Sequence, residues 1–147
     1  MKKIFFLMSL LFTVALFSQS VKAQTEAQKI ELCTKVAGAD ATLEQSYPVQ
    51  LLAAKDGEKA PSLKKGMAMR KGNRYRFTIC TDEDSDGEAI LEVFLEARKV
   101  GSSFVNGKHF QSFDFDCTNS AAYMIMISFK DGKAGSAVFI LSHVKTL

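Results

Sequence analysis

The chain has 147 residues, of which 47% are hydrophobic, with 19 lysines and arginines against 16 acids and no tryptophan. Its formal charge of +3 comes wholly from Lys2, Lys3 and Lys22, so everything after residue 23 is charge-balanced. With the basic excess confined to that segment, the electrostatic case for a nucleic-acid partner or an anionic membrane surface disappears.

Residues 1–23 have the pattern of a secretory signal peptide. Lys2 and Lys3 precede an apolar run from Ile4 to Phe17, and Val21-Lys22-Ala23 offers small residues on either side of a lysine before Gln24. The run is shorter than the roughly 20 residues a bilayer span needs. Cys33 lies ten residues beyond the expected cut, too far to be a lipid-attachment cysteine. The expectation is a periplasmic or secreted protein with no transmembrane segment in its mature chain, residues 24–147, which is the length of one domain.

Residues 25–37 read as a short helix or coil, because Ile30, Cys33 and Ala37 are helically spaced and Gly38 stops the run. Tyr47 to Leu52 reads as a strand, and Ala53 to Lys65, with Asp56-Gly57 and Pro61, as an exposed loop. From residue 74 the apolar period is two. Tyr75, Phe77 and Ile79 alternate with Arg74, Arg76 and Thr78. Leu91, Val93 and Leu95 form the next inward set, with Phe94 on the polar side. Asn106-Gly107 marks a hairpin turn between Phe104 and Phe110. Phe113 and Phe115 alternate with Ser112, Asp114 and Asp116. Tyr123, Ile125, Ile127 and Phe129 share one face, and Val138, Ile140 and Val144 share another with Phe139 and Leu141 opposite. These last two runs are apolar on both faces, which predicts central strands, and Asp131-Gly132-Lys133 predicts a hairpin between them. The fold class expected is all-β: a single jelly-roll-like β-sandwich of about seven to nine antiparallel strands.

An oxidising compartment permits one disulfide among Cys33, Cys80 and Cys117. Cys80 and Cys117 each adjoin a strong strand, which favours that pair. Their parities differ, however: Cys80 is opposite to Phe77 and Ile79, whereas Cys117 goes with Phe113 and Phe115. The pairing therefore requires a bulge or a strand end.

The order of these motifs resembles bacterial pre-peptidase C-terminal-type domains. Gly72-Asn73-Arg74-Tyr75-Arg76-Phe77-Thr78-Ile79 is similar to their G-x-x-Y-x-F-x-V opening. Ile90 to Leu95 stands where their second strand does, and Ser112-Phe113-Asp114-Phe115 with Ala122 to Ile127 resembles their paired F-x-F and G-x-Y-x-I-x-V signature. Ala122 stands where that signature has glycine. The resemblance implies a jelly-roll-like sandwich related to carbohydrate- and collagen-binding modules.

Asp82-Glu83-Asp84-Ser85-Asp86-Gly87 sets carboxylates at alternate positions before a glycine, as a calcium loop does. An EF-hand is ruled out, since its twelfth position is Val93 and strands flank the loop. Asp82, Asp84 and Asp86 remain as calcium ligands of a different kind of site, against the alternative of a solvated acidic turn. His109 and His143 have no sequence neighbours suited to zinc. Ser142 and His143 point to opposite faces and form no catalytic pair. Asp114 and Asp116 share a face, where exposed alternation explains them better than a glycosidase pair does. Met67, Met69, Met124 and Met126 suit either a soft apolar surface or, more simply, core packing. The sequence thus points to a small exported, non-catalytic binding protein whose partner is an envelope or extracellular protein or glycan. A calcium-dependent binding module is the alternative, and a secreted hydrolase comes third for want of any catalytic signature.

Overall fold

The computed structural model describes residues 24–147, so the signal-peptide reading of residues 1–23 lies outside the described residues. The chain begins with helix α1 (Glu26–Ala37). Ten strands follow: β1 (Thr42–Leu51), β2 (Leu63–Met69), β3 (Asn73–Thr81), β4 (Ala89–Leu95), β5 (Arg98–Ser102), β6 (Phe104–Val105), β7 (Lys108–His109), β8 (Ser112–Cys117), β9 (Ala121–Phe129) and β10 (Gly135–Thr146).

Sheet A has the order β1-β10-β3-β8 and sheet B the order β2-β9-β4-β5, with every pairing antiparallel. The first long strand pairs with the last, the second with the one before it, and so inward to β4 and β5. This is a long hairpin rolled into two sheets, the jelly roll expected. The predicted hairpin between the last two strands does not form. In a rolled hairpin, successive strands cross between sheets, so β9 and β10 sit at the centres of opposite sheets. Their central positions agree with their two-sided apolarity. The Asn106-Gly107 turn does close a hairpin, β6–β7, with both residues at positive φ.

Alternation fills the space between the sheets. Phe77, Phe139, Leu141, Leu91, Val93, Tyr123, Ile125 and Ile127 are almost wholly buried. Phe77 lies 5.3 Å from Phe113, 6.0 Å from Phe115 and 6.2 Å from Phe139 between ring centroids. Met67 and Met69 join this core, which makes Leu63–Met69 a strand rather than the end of a loop. At the upper end Phe129 packs over Gly135 so closely that no side chain would fit there.

A second, smaller core lies on the outer face of sheet A, where Cys33 and Ala37 of α1 meet Val138 and Ile140. The helix starts with a capping box between Thr25 and Gln28 and ends at Gly38, whose φ is +94°. Its apolar stripe places Cys33 over Cys80, and these two form the disulfide, with Cα atoms 5.8 Å apart. The expected Cys80–Cys117 bond is therefore corrected. Cys80 points outward to the helix, while Cys117 points between the sheets and stays a buried free thiol. Parity decided the matter, and no bulge intervenes between β3 and β8.

Candidate functional site

The acidic loop after β3 is pinned from inside. Ser85 Oγ donates to Gly87 O at 2.6 Å and accepts from Ser136 N at 3.1 Å, and Gly87 N donates to Ala134 O. Asp82 turns to Lys29 of α1, with Nζ to Oδ2 at 2.7 Å, and that hydrogen bond raises the lysine's pKa above its ordinary value. Asp84 and Asp86 stay exposed. The three expected calcium ligands are thus divided between an ion pair and solvent. Among the described residues, no group of three or more His, Cys, Asp or Glu side chains is placed to hold a metal ion.

Asp114 and Asp116 are explained by their neighbours across the strand. Arg76 donates from Nε to Asp114 at 2.6 Å, and from Nη1 to Asp40 at 2.7 Å and to the last helical carbonyl, Ala37 O, at 2.7 Å. Arg74 holds Asp116 through two bonds of 2.5 and 2.8 Å. These guanidinium groups keep the carboxyls of Asp40 and Asp116 below the ordinary carboxylate pKa. A depressed folded pKa gives stability that is complete above the unfolded value, near 3.9, and is lost as pH falls through the folded value. Melting temperature should therefore hold from pH 7 to about 5 and begin to fall below about 4, by a modest amount because these ion pairs are open to solvent. Replacing Arg74 and Arg76 with methionine should flatten that acid limb, and an unaltered limb would refute the assignment.

The histidines serve separate places. His143 Nε2 is 3.1 Å from Asn73 Oδ1 and meets the edge of Tyr75. His109 packs on Phe104, 3.3 Å from a Glu88 oxygen, with neither ring nitrogen hydrogen-bonded. Cys117 lies 3.7 Å from the hydroxyl of Tyr123, whose pKa is pushed up to about 12, chiefly by burial and then by the hydrogen bond with Cys117. No histidine accompanies this thiol, so the structure assembles no Cys/His pair there.

Two surfaces remain. One is a polar cleft of about 520 Å³ at the lower end, lined by Glu44, Arg70, Asn73, Tyr75, His143 and Thr146. Its border is the β2–β3 turn, which is held from three sides. Arg70 N donates to Tyr75 Oη, Lys71 N to Ser120 Oγ, and Gly72 N to Cys117 O. The other is the outer face of sheet B. Ile90 and Phe94 of β4 and Met124 and Met126 of β9 project there, opposite in parity to the buried Leu91, Val93, Ile125 and Ile127. Phe94 pairs with Met124 and Glu92 with Met126 across the strands, and Glu92 is bound by Lys99. Met67, Met69, Met124 and Met126 thus divide, two in the core and two outside. Core packing, the simpler expectation for all four, holds for Met67 and Met69 and is corrected for Met124 and Met126, which take the outward parity of β9. What parity could not say is whether another element covers them.

Jelly-roll sandwiches of this kind are shared by unrelated proteins. The chain's fold is similar to that of Aeromonas hydrophila PliG, a periplasmic lysozyme inhibitor of g-type lysozyme. The match has a TM-score of 0.51 at 11% identity, and covers 69% of this chain and 87% of that one. It is a likeness of fold. No family model matches the chain, and no curated protein sequence does.

Proposed function

We propose that this chain is a small exported, non-catalytic protein that binds and inhibits a lysozyme-type cell-wall hydrolase in the envelope or outside the cell. The observation that carries the reading is the jelly roll's likeness to a periplasmic lysozyme inhibitor across 87% of that protein. The Cys33–Cys80 disulfide supports export, because such bonds persist in oxidising compartments. The rigid core and pinned loops suit a binder that recognises a folded partner without ordering itself first, which limits the entropic cost of association.

The test is direct. The protein, produced by export with its disulfide formed, is titrated into g-type lysozyme acting on a cell-wall suspension, with lysozymes of other structural classes in parallel. The expected result is loss of lysis that is complete near a one-to-one ratio with at least one of them. Full lysis at a tenfold excess over all of them, with no complex on size-exclusion chromatography, would overturn the reading.

A further inference from the structure

At the lower end of the sandwich the edge strands of the two sheets, β1 and β2, part to leave the polar cleft of about 520 Å³. Further along, the same seam is closed, with Lys65 Nζ 4.7 Å from the centre of the Tyr47 ring. The strands around the cleft are irregular. Glu44 is an extra residue in β1, between Leu43 and Gln45, and Val144 an extra residue in β10, between His143 and Lys145. A bulge leaves its extra residue outside the ladder, bends the strand and re-aims a side chain. Glu44, freed in this way, forms part of the cleft wall.

Asn73 organises the other wall. Its Oδ1 accepts from Thr146 Oγ1 at 3.4 Å and lies 3.1 Å from His143 Nε2, and its Nδ2 donates to Arg70 O at 3.2 Å. An amide oxygen only accepts, so His143 carries a hydrogen on Nε2 in this contact. Arg70 is held by its backbone from both sides, through O to Asn73 and through N to Tyr75 Oη at 3.0 Å. Its exposed guanidinium forms no ion pair among the described residues, and neither does the carboxylate of Glu44. Tyr75 is 5% exposed, and its hydroxyl accepts from Arg70 while its own hydrogen goes to no described group. Buried polar hydrogens ordinarily find an acceptor. Other charges close by are engaged elsewhere: Asp116 binds Arg74, and Lys145 acts on that same carboxylate.

A fixed cation, a fixed carboxylate and an undonated phenol hydrogen therefore line one cleft. A guanidinium grips a carboxylate through two parallel bonds, and the Tyr75 hydroxyl is a third donor beside it. Glu44 opposes a simple anion and attracts an ammonium group, just as Arg70 opposes a simple cation. A ligand of one charge satisfies one wall and is repelled by the other, whereas a ligand of both charges satisfies each. The volume is within the range of small-molecule sites.

We infer that this cleft binds a small zwitterion, a free α-amino acid or short peptide, with its carboxylate on Arg70 and Tyr75 Oη and its ammonium on Glu44. The site is independent of the inhibitor reading above. In the test, isotope-labelled protein is titrated by nuclear magnetic resonance with alanine, with alanylalanine, and with the N-acetyl and C-terminal amide forms of alanylalanine. Alanine or alanylalanine should shift the amide signals of Glu44, Arg70, Asn73 and His143 saturably at millimolar concentration. Capping either terminus should weaken binding at least about tenfold, the scale of one charge-assisted hydrogen bond. Arg70→Met should abolish the penalty for amidation and Glu44→Gln the penalty for acetylation. Both positions are exposed, and thermal melts check that each variant folds. Binding of either capped form as tightly as the free peptide, or equal binding of acetate, would overturn the zwitterion assignment. Absence of saturable shifts at those residues up to about 50 mM of each probe would overturn the site itself.

Discussion

Replacing Cys33 and Cys80 together with alanine is expected to remove about 4 kcal/mol of stability, from the loop-closure entropy of a bond spanning 47 residues. For a protein of this size that is a fall in melting temperature of about 12–16 °C. In the folded state the bond ties α1 to sheet A beside a small apolar contact. Beyond it, Ala37, Ile30, Val138 and Ile140 supply most of the burial that holds the helix down. The ion pair of Lys29 with Asp82 and the hold of Arg76 on Ala37 O are partly exposed and add less. A reducing agent should lower the parent's melting temperature by a similar amount and leave the double variant unchanged. Cys117→Ala should keep the disulfide, and the denatured parent protein should show one reactive thiol, at Cys117. A double variant melting within about 3 °C of the parent would mean the cross-link adds little to the native state.

Phe77→Ala should cost about 3–5 kcal/mol, a large share of the 5–15 kcal/mol that holds a typical domain together. Phe77 has no exposed surface and contacts aromatic rings from β8 and β10 at once, so its loss leaves a cavity bounded by Phe113, Phe115 and Phe139. Those three rings belong to strands already fixed by their ladders, so the site cannot collapse to fill the void. The contrast is Phe94, one sheet away. It projects outward, opposite Met124 on β9 and Lys99 on β5, so Phe94→Ala should cost roughly 1 kcal/mol or less. Chemical denaturation of both variants checks the pair. Equal losses would contradict the division of phenylalanines between core and outer face.

That division was partly legible in advance. Phe94 stood out as an apolar residue on a polar parity, and Phe77 as one of a regular inward set. The strands with strong alternation were all visible. Two were not. Leu63–Met69 begins Leu-Lys-Lys-Gly, which has the composition of a loop, and its strand character comes from pairing with β9 through Met67 and Met69. Arg98–Ser102 is short and polar, and pairs with β4 across a register shift. Edge strands such as these carry weak patterns because only one of their faces is buried and only one of their edges is bonded. The alternating acids of β8 were read as solvent-facing. They do face outward, and the structure adds their partners, Arg74 and Arg76 on β3.

The sequence by itself determined the period of the strands, their inward residues, a short helix or coil over residues 25–37 with its stop at Gly38, and the neutrality of the chain after residue 23. Each of these is local: one residue's neighbours at two or four positions carry the signal. Tertiary structure alone decided which strands pair, that Cys33 reaches Cys80, that Asp82 is taken by Lys29, and that α1 roofs one sheet while no described element covers the other. These depend on how a long hairpin rolls. Parity tells which side of a strand a residue takes, but only the packing of distant segments decides what waits on that side.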